Sequence, residues 1–250
     1  MKIFITGVSS GIGRELACIL IGKGHQVWGI ARREDALVVL AEEINNPAFS
    51  YDSCDISETK ATVKLSKKMA EQAYIPDIVI LNAAVDLEDS YPGIDFANGA
   101  QMMRTNVDGA NYWISVFIEP FLKRGSGQFI AISSIFAQWP DAASVSYSAS
   151  KAALSMLLRG LRIRYAASNL QFKLLYLGPV ATQINPKFSG QEPAGSLVVA
   201  PVSAAADYIE TIISSGRKNF YYPFYIHLVF TFLRWLPDRI FQFVTRPFKR

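Results

Sequence analysis

The 250-residue chain is predicted to fold as an α/β protein, a doubly wound and mainly parallel sheet of about seven strands. Three observations predict it. Short apolar runs of strand length alternate with longer helix-forming segments from Lys2 to Leu177. A glycine-rich turn joins the first apolar run to the first helical one, as in nucleotide-binding units of this class. Half the residues are hydrophobic and 18% are charged, so the chain can bury a large core and disorder is excluded. The whole of 1–250 is read as one domain.

The first strand is Lys2–Thr6, and Arg14 to Gly22 reads as the first helix. Between them lies Thr6, Gly7, Val8, Ser9, Ser10, Gly11, Ile12, Gly13. Gly7 permits the tight turn, Gly11 lets the backbone approach a pyrophosphate, and Gly13 allows close packing of helix on strand. The free N–H groups of the helix N-terminus then meet the phosphates. The glycine spacing is three-then-one rather than the common G-x-G-x-x-G. Gln26 to Ile30 is the second strand. An acid near its end would hold a ribose 2′-hydroxyl, but Ala31 stands there, followed by Arg32 and Arg33. Arginines suit a 2′-phosphate, so NADP is favoured over NAD. The alternative is that they merely open a solvated helix.

Glu34 to Ile44 is the next helix, broken by Asn45-Asn46-Pro47, and Ala48 to Asp52 is the third strand. Asp55 and Ile56 lie just past its end, where an adenine would rest. Asp55 could equally cap the helix starting near Glu58. Asp77 to Leu81 is the fourth strand, and the small residues after it, Asn82-Ala83-Ala84, would let a flat cofactor lie against the backbone. Gln101 to Leu122 is a long helical stretch with Asn106 inside it, a position as suited to packing or kinking as to function. Gln128 to Ser133 is the fifth strand. Gln171 to Leu177 is the sixth, closed by Gly178-Pro179. Residues 183–200, with Pro186, Gly190, Pro193 and Gly195, read as a mobile loop beyond a strand's carboxyl end, where ligands bind in such sheets.

The chemistry centres on Ser146-Tyr147-Ser148-Ala149-Ser150-Lys151. In a helix continuing through Ala152–Tyr165, Tyr147 and Lys151 share one face. A free tyrosine has a pKa near 10, so it shuttles protons at neutral pH only if a cation stabilises its phenolate, and Lys151 supplies one. Ser134, at the end of the fifth strand, could hydrogen-bond a substrate carbonyl or alcohol. Tyr-x-x-x-Lys alone is as readily a surface pair. Its order among the other motifs is what gives it weight.

The net charge is +4, unevenly placed. From Arg217 onward seven basic residues face Asp238 alone, +6 in all, which leaves −2 for residues 1–216. Nucleic-acid binding is a poor reading for such a body. Cys18 and Cys54 form no metal-ligand pattern, so no metal is expected. Their sparseness fits a reduced, cytoplasmic protein, and no signal peptide is seen. The longest apolar run in the tail, Phe224 to Leu233, is about half a membrane span.

Taken together, these motifs resemble the short-chain dehydrogenase/reductase superfamily in its single-domain form, over residues 1 to about 185. Thr6 to Gly13 looks like the family's T-G-x-x-x-G-x-G, and Asp55 like its adenine-contacting aspartate. Asn82-Ala83-Ala84 matches the end of N-N-A-G, with Leu81 and Ala84 departing from it. Asn106, Ser134, Tyr147 and Lys151 match the catalytic tetrad. Gly178-Pro179-Val180-Ala181-Thr182 resembles the loop whose threonine holds the nicotinamide carboxamide, with Leu177 replacing the usual proline before it. The resemblance implies hydride transfer between NADP(H) and a carbonyl or alcohol. Tyr147 would be the acid, Ser134 the clamp on substrate oxygen, Lys151 the stabiliser and ribose ligand, and Asn106 the holder of a relay water. It also implies a homodimer or homotetramer. A non-catalytic NADP-binding sensor or scaffold is the alternative.

The family's glycine-rich end is absent. In its place stands residues 220–250, where eleven of the 31 aromatic residues lie beside the basic charge. Phe224 to Leu236 is apolar nearly all round, and Arg239 to Thr245 starts a second short helix. The stretch either packs on the body or a partner copy, or docks on an anionic membrane that would suit a hydrophobic substrate.

Overall fold

The computed structural model describes residues 1–87, 89, 93–141, 144–182, 199–225 and 228. Its strands are β1 Lys2–Thr6, β2 Gln26–Ala31, β3 Phe49–Ser53, β4 Ile78–Leu81, β5 Gly127–Ser134, β6 Leu170–Leu177 and β7 Asn219–Tyr222. Its helices are α1 Gly11–Gly22, α2 Glu34–Ile44, α3 Thr59–Glu71, α4 Phe96–Met103, α5 Ala110–Arg124, α6 Val145–Arg164 and α7 Val202–Ser214. The strands form one parallel sheet in the order β3-β2-β1-β4-β5-β6-β7. The chain order reverses between β1 and β4, and the crevice at their carboxyl ends is where such sheets take ligands.

Strand alternation divides the core into two layers. In β1, Ile3 and Ile5 join Leu16, Leu20, Leu37 and Ile209 of α1, α2 and α7. Phe4 between them points the other way, into Met69, Trp113, Phe117 and Leu158 of α3, α5 and α6. Each large side chain buried this way contributes about 1.5–3 kcal/mol. The second layer is an aromatic ledge: Phe4 meets Trp113 at 4.6 Å, Phe121 meets Phe129 at 5.0 Å, and Phe129 stacks on Phe172 at 5.4 Å. It seats α5 against β1 and β5 and packs β5 against β6.

Several boundaries differ from the sequence reading for local reasons. Helix α1 starts at Gly11 rather than Arg14, because glycine's poor helix propensity hides the first turn. Asp77 lies outside β4. Its carboxylate takes the Lys2 N–H at 2.8 Å and Arg124 at 3.2 Å, while its backbone still bonds to Lys2 and Gln128 on the flanking strands. The long stretch around Asn106 is not one regular helix, since Arg104–Gly109 between α4 and α5 is a π-turn. Helix α7 and strand β7 were not assigned from the sequence. The spacing of Ala205, Ile209 and Ile212, all buried, was the readable signal for α7. Strand β7 takes Asn219–Tyr222, so the aromatic extension does not begin at Phe220. Those first aromatics complete the sheet beside β6. Tyr221 stacks on Tyr176 at 5.0 Å and Tyr222 on Tyr208 at 4.8 Å.

Residues 183–198 of the loop expected after β6, with Pro186, Gly190, Pro193 and Gly195, lie outside the described residues, as do 226, 227 and 229–250 of the tail. Among the described residues no helix is long and apolar enough to cross a membrane.

Candidate active site

The glycine turn is locked to the end of β4. The Thr6 hydroxyl accepts the Asn82 and Ala83 N–H groups at 3.1 and 3.0 Å, and the Asn82 amide donates to the Thr6 and Gly7 carbonyls at 3.0 and 3.1 Å. Asn82 therefore shapes the turn itself. Gly7 sits at φ +79°, and a Cβ there would lie 2.8 Å from the Ala83 Cα. A Cβ on Gly13 would lie 2.1 Å from the Gly7 carbonyl oxygen and 2.5 Å from the Asn82 amide nitrogen. Ser10 is extended and its side chain does not cap α1, which leaves the first-turn N–H groups for an anion. This cradle of close backbone fits a pyrophosphate. Ile12 is buried in the core, so it would offer only its backbone. Beyond β6, Val180 bridges to Ala200, the Thr182 N–H donates to the Val180 carbonyl at 2.8 Å, and the Thr182 methyl lies over Gly11. Pro179 leads into this turn, and of its residues it is Thr182 whose side chain reaches the cradle.

At the end of β2, Arg33 donates to the Ser9 hydroxyl at 3.3 Å, which puts a guanidinium over the glycine turn. Arg32 lies 3.8 Å from Asp55, an exposed and weak pair. One Asp55 oxygen is spent on the Ser57 N–H and hydroxyl at 2.9 and 2.7 Å. It caps a turn, while α3 begins later, at Thr59. The Ile56 side chain is buried where Gly109 leaves room for it.

Helix α6 places Tyr147 and Lys151 one turn apart, with the Lys151 ammonium 5.7 Å from the Tyr147 ring centre. Lys151 is buried and donates to the Ile132 carbonyl at 2.9 Å. Burial pulls its pKa down to about 8, and the Asp86 carboxylate works against that fall. Tyr147 is pushed well above its usual value, first by burial and then by Asp86, while a hydrogen bond with Ser134 pulls the other way. Ser134 ends β5, and its oxygen also accepts the Phe136 N–H at 3.2 Å. The Asn106 amide, buried on the π-turn, accepts the Val85 N–H at 2.8 Å and donates to the Val85 carbonyl at 2.9 Å and to the Ser150 hydroxyl at 3.0 Å. Ser150 donates in turn to the Tyr147 carbonyl at 2.7 Å. Hydrogen bonds and one short stretch of chain, Asn82 to Val85, thus run from Gly7 through Asn82, Val85, Asn106 and Ser150 to Tyr147. The cradle and the tyrosine are parts of one framework.

Asp86, Ser144 and Ser150 were missed from the sequence. Asp86 takes the Ser144 hydroxyl at 2.6 Å, and burial raises its pKa. The available signal was position: an acid two residues past Ala84, beyond the carboxyl end of a strand. Other chemistry has less support. Among the described residues no group of His, Cys, Asp and Glu is placed to hold a metal. Burial first, then Asp55 and Asp52, pushes the Cys54 thiol up to about 12, so it is no nucleophile.

Fold and comparison together define an oxidoreductase scaffold. The short chain dehydrogenase family model matches residues 1–193, and the chain belongs to that family. It is 30% identical over 244 residues to an Arabidopsis thaliana 11-beta-hydroxysteroid dehydrogenase-like 2, covering 94% of this chain and 78% of that one. It is 31% identical over 164 residues to an NADPH-dependent pterin aldehyde reductase of the same plant, covering 64% and 66%. A short-chain dehydrogenase from Sphingobium yanoikuyae, solved with NADPH, superposes with a TM-score of 0.81 over 98% of this chain and 94% of its own, at 19% identity. That likeness establishes the fold, and the named relatives establish the class: this chain is an oxidoreductase.

Proposed function

We propose that the protein is an NADP(H)-dependent carbonyl reductase, or an alcohol dehydrogenase in reverse, acting on a substrate with an apolar body. The observation that carries this is the hydrogen-bonded framework joining the glycine cradle to Tyr147. Gly7, Ser9, Ser10, Gly11, Ile12 and Gly13 would hold the pyrophosphate, and Arg33 and Arg32 the 2′-phosphate. Asp55, Ile56, Asn82, Ala83 and Ala84 would frame the adenine and the ring face, and Pro179, Val180 and Thr182 the carboxamide. When bound, NADPH supplies hydride to the carbonyl carbon. The Tyr147 hydroxyl gives its proton to the carbonyl oxygen, which the Ser134 hydroxyl holds in place. Its raised pKa keeps the phenol protonated, the form an acid needs, and the Lys151 ammonium, 5.7 Å from the Tyr147 ring centre, would stabilise the phenolate left behind. Asn106 spends its side chain pinning Val85 and Ser150, so any part it takes in proton relay falls to its backbone on the π-turn. An apolar substrate body is supported by Phe136 and Trp139, which sit only partly buried just past Ser134.

The test is NADPH oxidation against ketones and aldehydes of graded chain length. Turnover is expected to rise with apolar length and to be faster with NADPH than NADH. NADPH binding without turnover of any carbonyl would replace this reading with that of a sensor.

A further inference from the structure

We infer that Asp86 selects the substrate by presenting a fixed negative charge beside the reacting carbonyl. It would favour carbonyl compounds bearing a hydroxyl or amino group near that carbon over those bearing a carboxylate there. The inference rests on the reductase reading above and names the substrate class of the same site.

Asp86 is held on the framework that positions the catalytic candidates. Its neighbour Val85 is gripped at both backbone atoms by Asn106. Its own carboxylate takes the hydroxyl of Ser144 at 2.6 Å, and Ser144 is the residue just before α6, three short of Tyr147. The charge is near enough to act on both Tyr147 and Lys151. Among the described residues Ser144 is its sole hydrogen-bond donor. An ionised carboxylate has about four acceptor sites, and Asp86 is only partly buried. Acceptor capacity therefore remains for a group in the cleft.

A negative charge is not needed to start α6. Asp89 already does that, accepting the Val145 and Ser146 N–H groups at 2.8 and 3.3 Å and the Ser146 hydroxyl at 3.1 Å. A neutral asparagine would also accept the Ser144 hydroxyl, though more weakly than the carboxylate does at 2.6 Å. Burial and the nearby Asp141 and Asp89 work against the charge, while the Ser144 hydroxyl and the Lys151 ammonium favour it. A ligand group would use the charge in addition to Lys151, because a substrate hydroxyl or ammonium gains a charge-assisted bond there and a carboxylate meets like charge.

The experiment measures kcat/KM with the full chain and NADPH on four carbonyl probes of one chain length: unsubstituted ketone, 1-hydroxy-2-ketone, 1-amino-2-ketone and 2-oxo acid. Wild type is expected to prefer the hydroxy- and amino-ketone to the oxo acid by about tenfold or more. Asp86→Asn should cut that preference by about tenfold, and Asp86→Glu should preserve its direction. If Asp86 only balanced the Lys151 charge, Asp86→Asn would slow all four probes alike. That outcome overturns the inference. So does a wild type that reduces the oxo acid as well as the amino ketone, a result needing no variant. The unsubstituted ketone separates the two levels. If it is reduced and no discrimination is seen, this inference alone fails. If none of the four is reduced, the reductase reading fails and takes this inference with it.

Discussion

Replacing Asn106 with alanine should damage stability and activity together, by an amount the structure lets us work out. The amide makes three hydrogen bonds, two to the Val85 backbone and one to Ser150, from a side chain only 1% exposed. Each such bond contributes about 1 kcal/mol net. Val85 is half-buried, so water can repair its two stranded groups in part, whereas Ser150 is fully buried and keeps only its bond to Tyr147. The expected loss is about 3 kcal/mol, or a fall in Tm of about 6–12 °C for a chain of this size. Turnover should fall more than NADPH binding, because the freed loop carries Asp86 and the loosened Ser150 sits beside Tyr147. Asn106→Asp should recover only the bond from the Val85 N–H, since a carboxylate donates nothing. Thermal denaturation with and without NADPH measures this. A Tm drop under about 2 °C for Asn106→Ala would show that the π-turn, not the amide, holds the loop.

Three further predictions follow from single distances and charges. Gly13→Ala drives a Cβ into the Gly7 carbonyl and should cost at least about 3 kcal/mol along with NADPH binding. Near-normal binding in a fluorescence titration would contradict the cradle. Arg33→Ala should weaken NADPH binding by about ten- to a hundredfold, the range of a charge-assisted bond, and leave NADH nearly untouched. Arg32→Ala should do the same to a smaller degree, and equal losses for both cofactors would refute 2′-phosphate reading. Reductive kcat/KM should decline as pH rises through about 8, where Lys151 loses its proton. Because its folded pKa lies below its ordinary 10.5, the same group makes the fold more stable as pH climbs from about 8 toward that value. A pH–rate profile flat through this range while stability rises would exclude the ammonium from the reaction.

The layout of the sheet was legible because strand and helix periodicities differ and the glycine turn punctuates them. Tyr147, Lys151, Ser134 and Asn106 were legible as types at spacings; the structure links Asn106 to Tyr147 through Ser150 and sets the Lys151 ammonium 5.7 Å from the Tyr147 ring centre. What was not legible depends on contacts between distant segments. The sequence shows Asn82 as a small residue beside a cofactor, whereas its amide reaches back over 75 residues to lock Gly7. Asp86 and Ser144 meet across 58 residues, and no periodicity marks either. Lys173 looks like a polar interruption of β6. It is buried, and its ammonium holds the last carbonyls of α7, Ile212 and Ile213, at 2.9 and 3.0 Å. A helix that escaped the sequence reading thus ends on a charge that reading could not place.

The central claim is that Tyr147 is the proton donor in a carbonyl reduction, and single-turnover kinetics of Tyr147→Phe test it most directly. With saturating NADPH and the best carbonyl from the panel, the variant should bind the cofactor as wild type does. Its reduction rate should drop by about 10²–10⁴-fold, the contribution of a positioned general acid. A variant that binds NADPH normally and keeps its rate within about threefold of wild type would contradict the account and move the proton to another group.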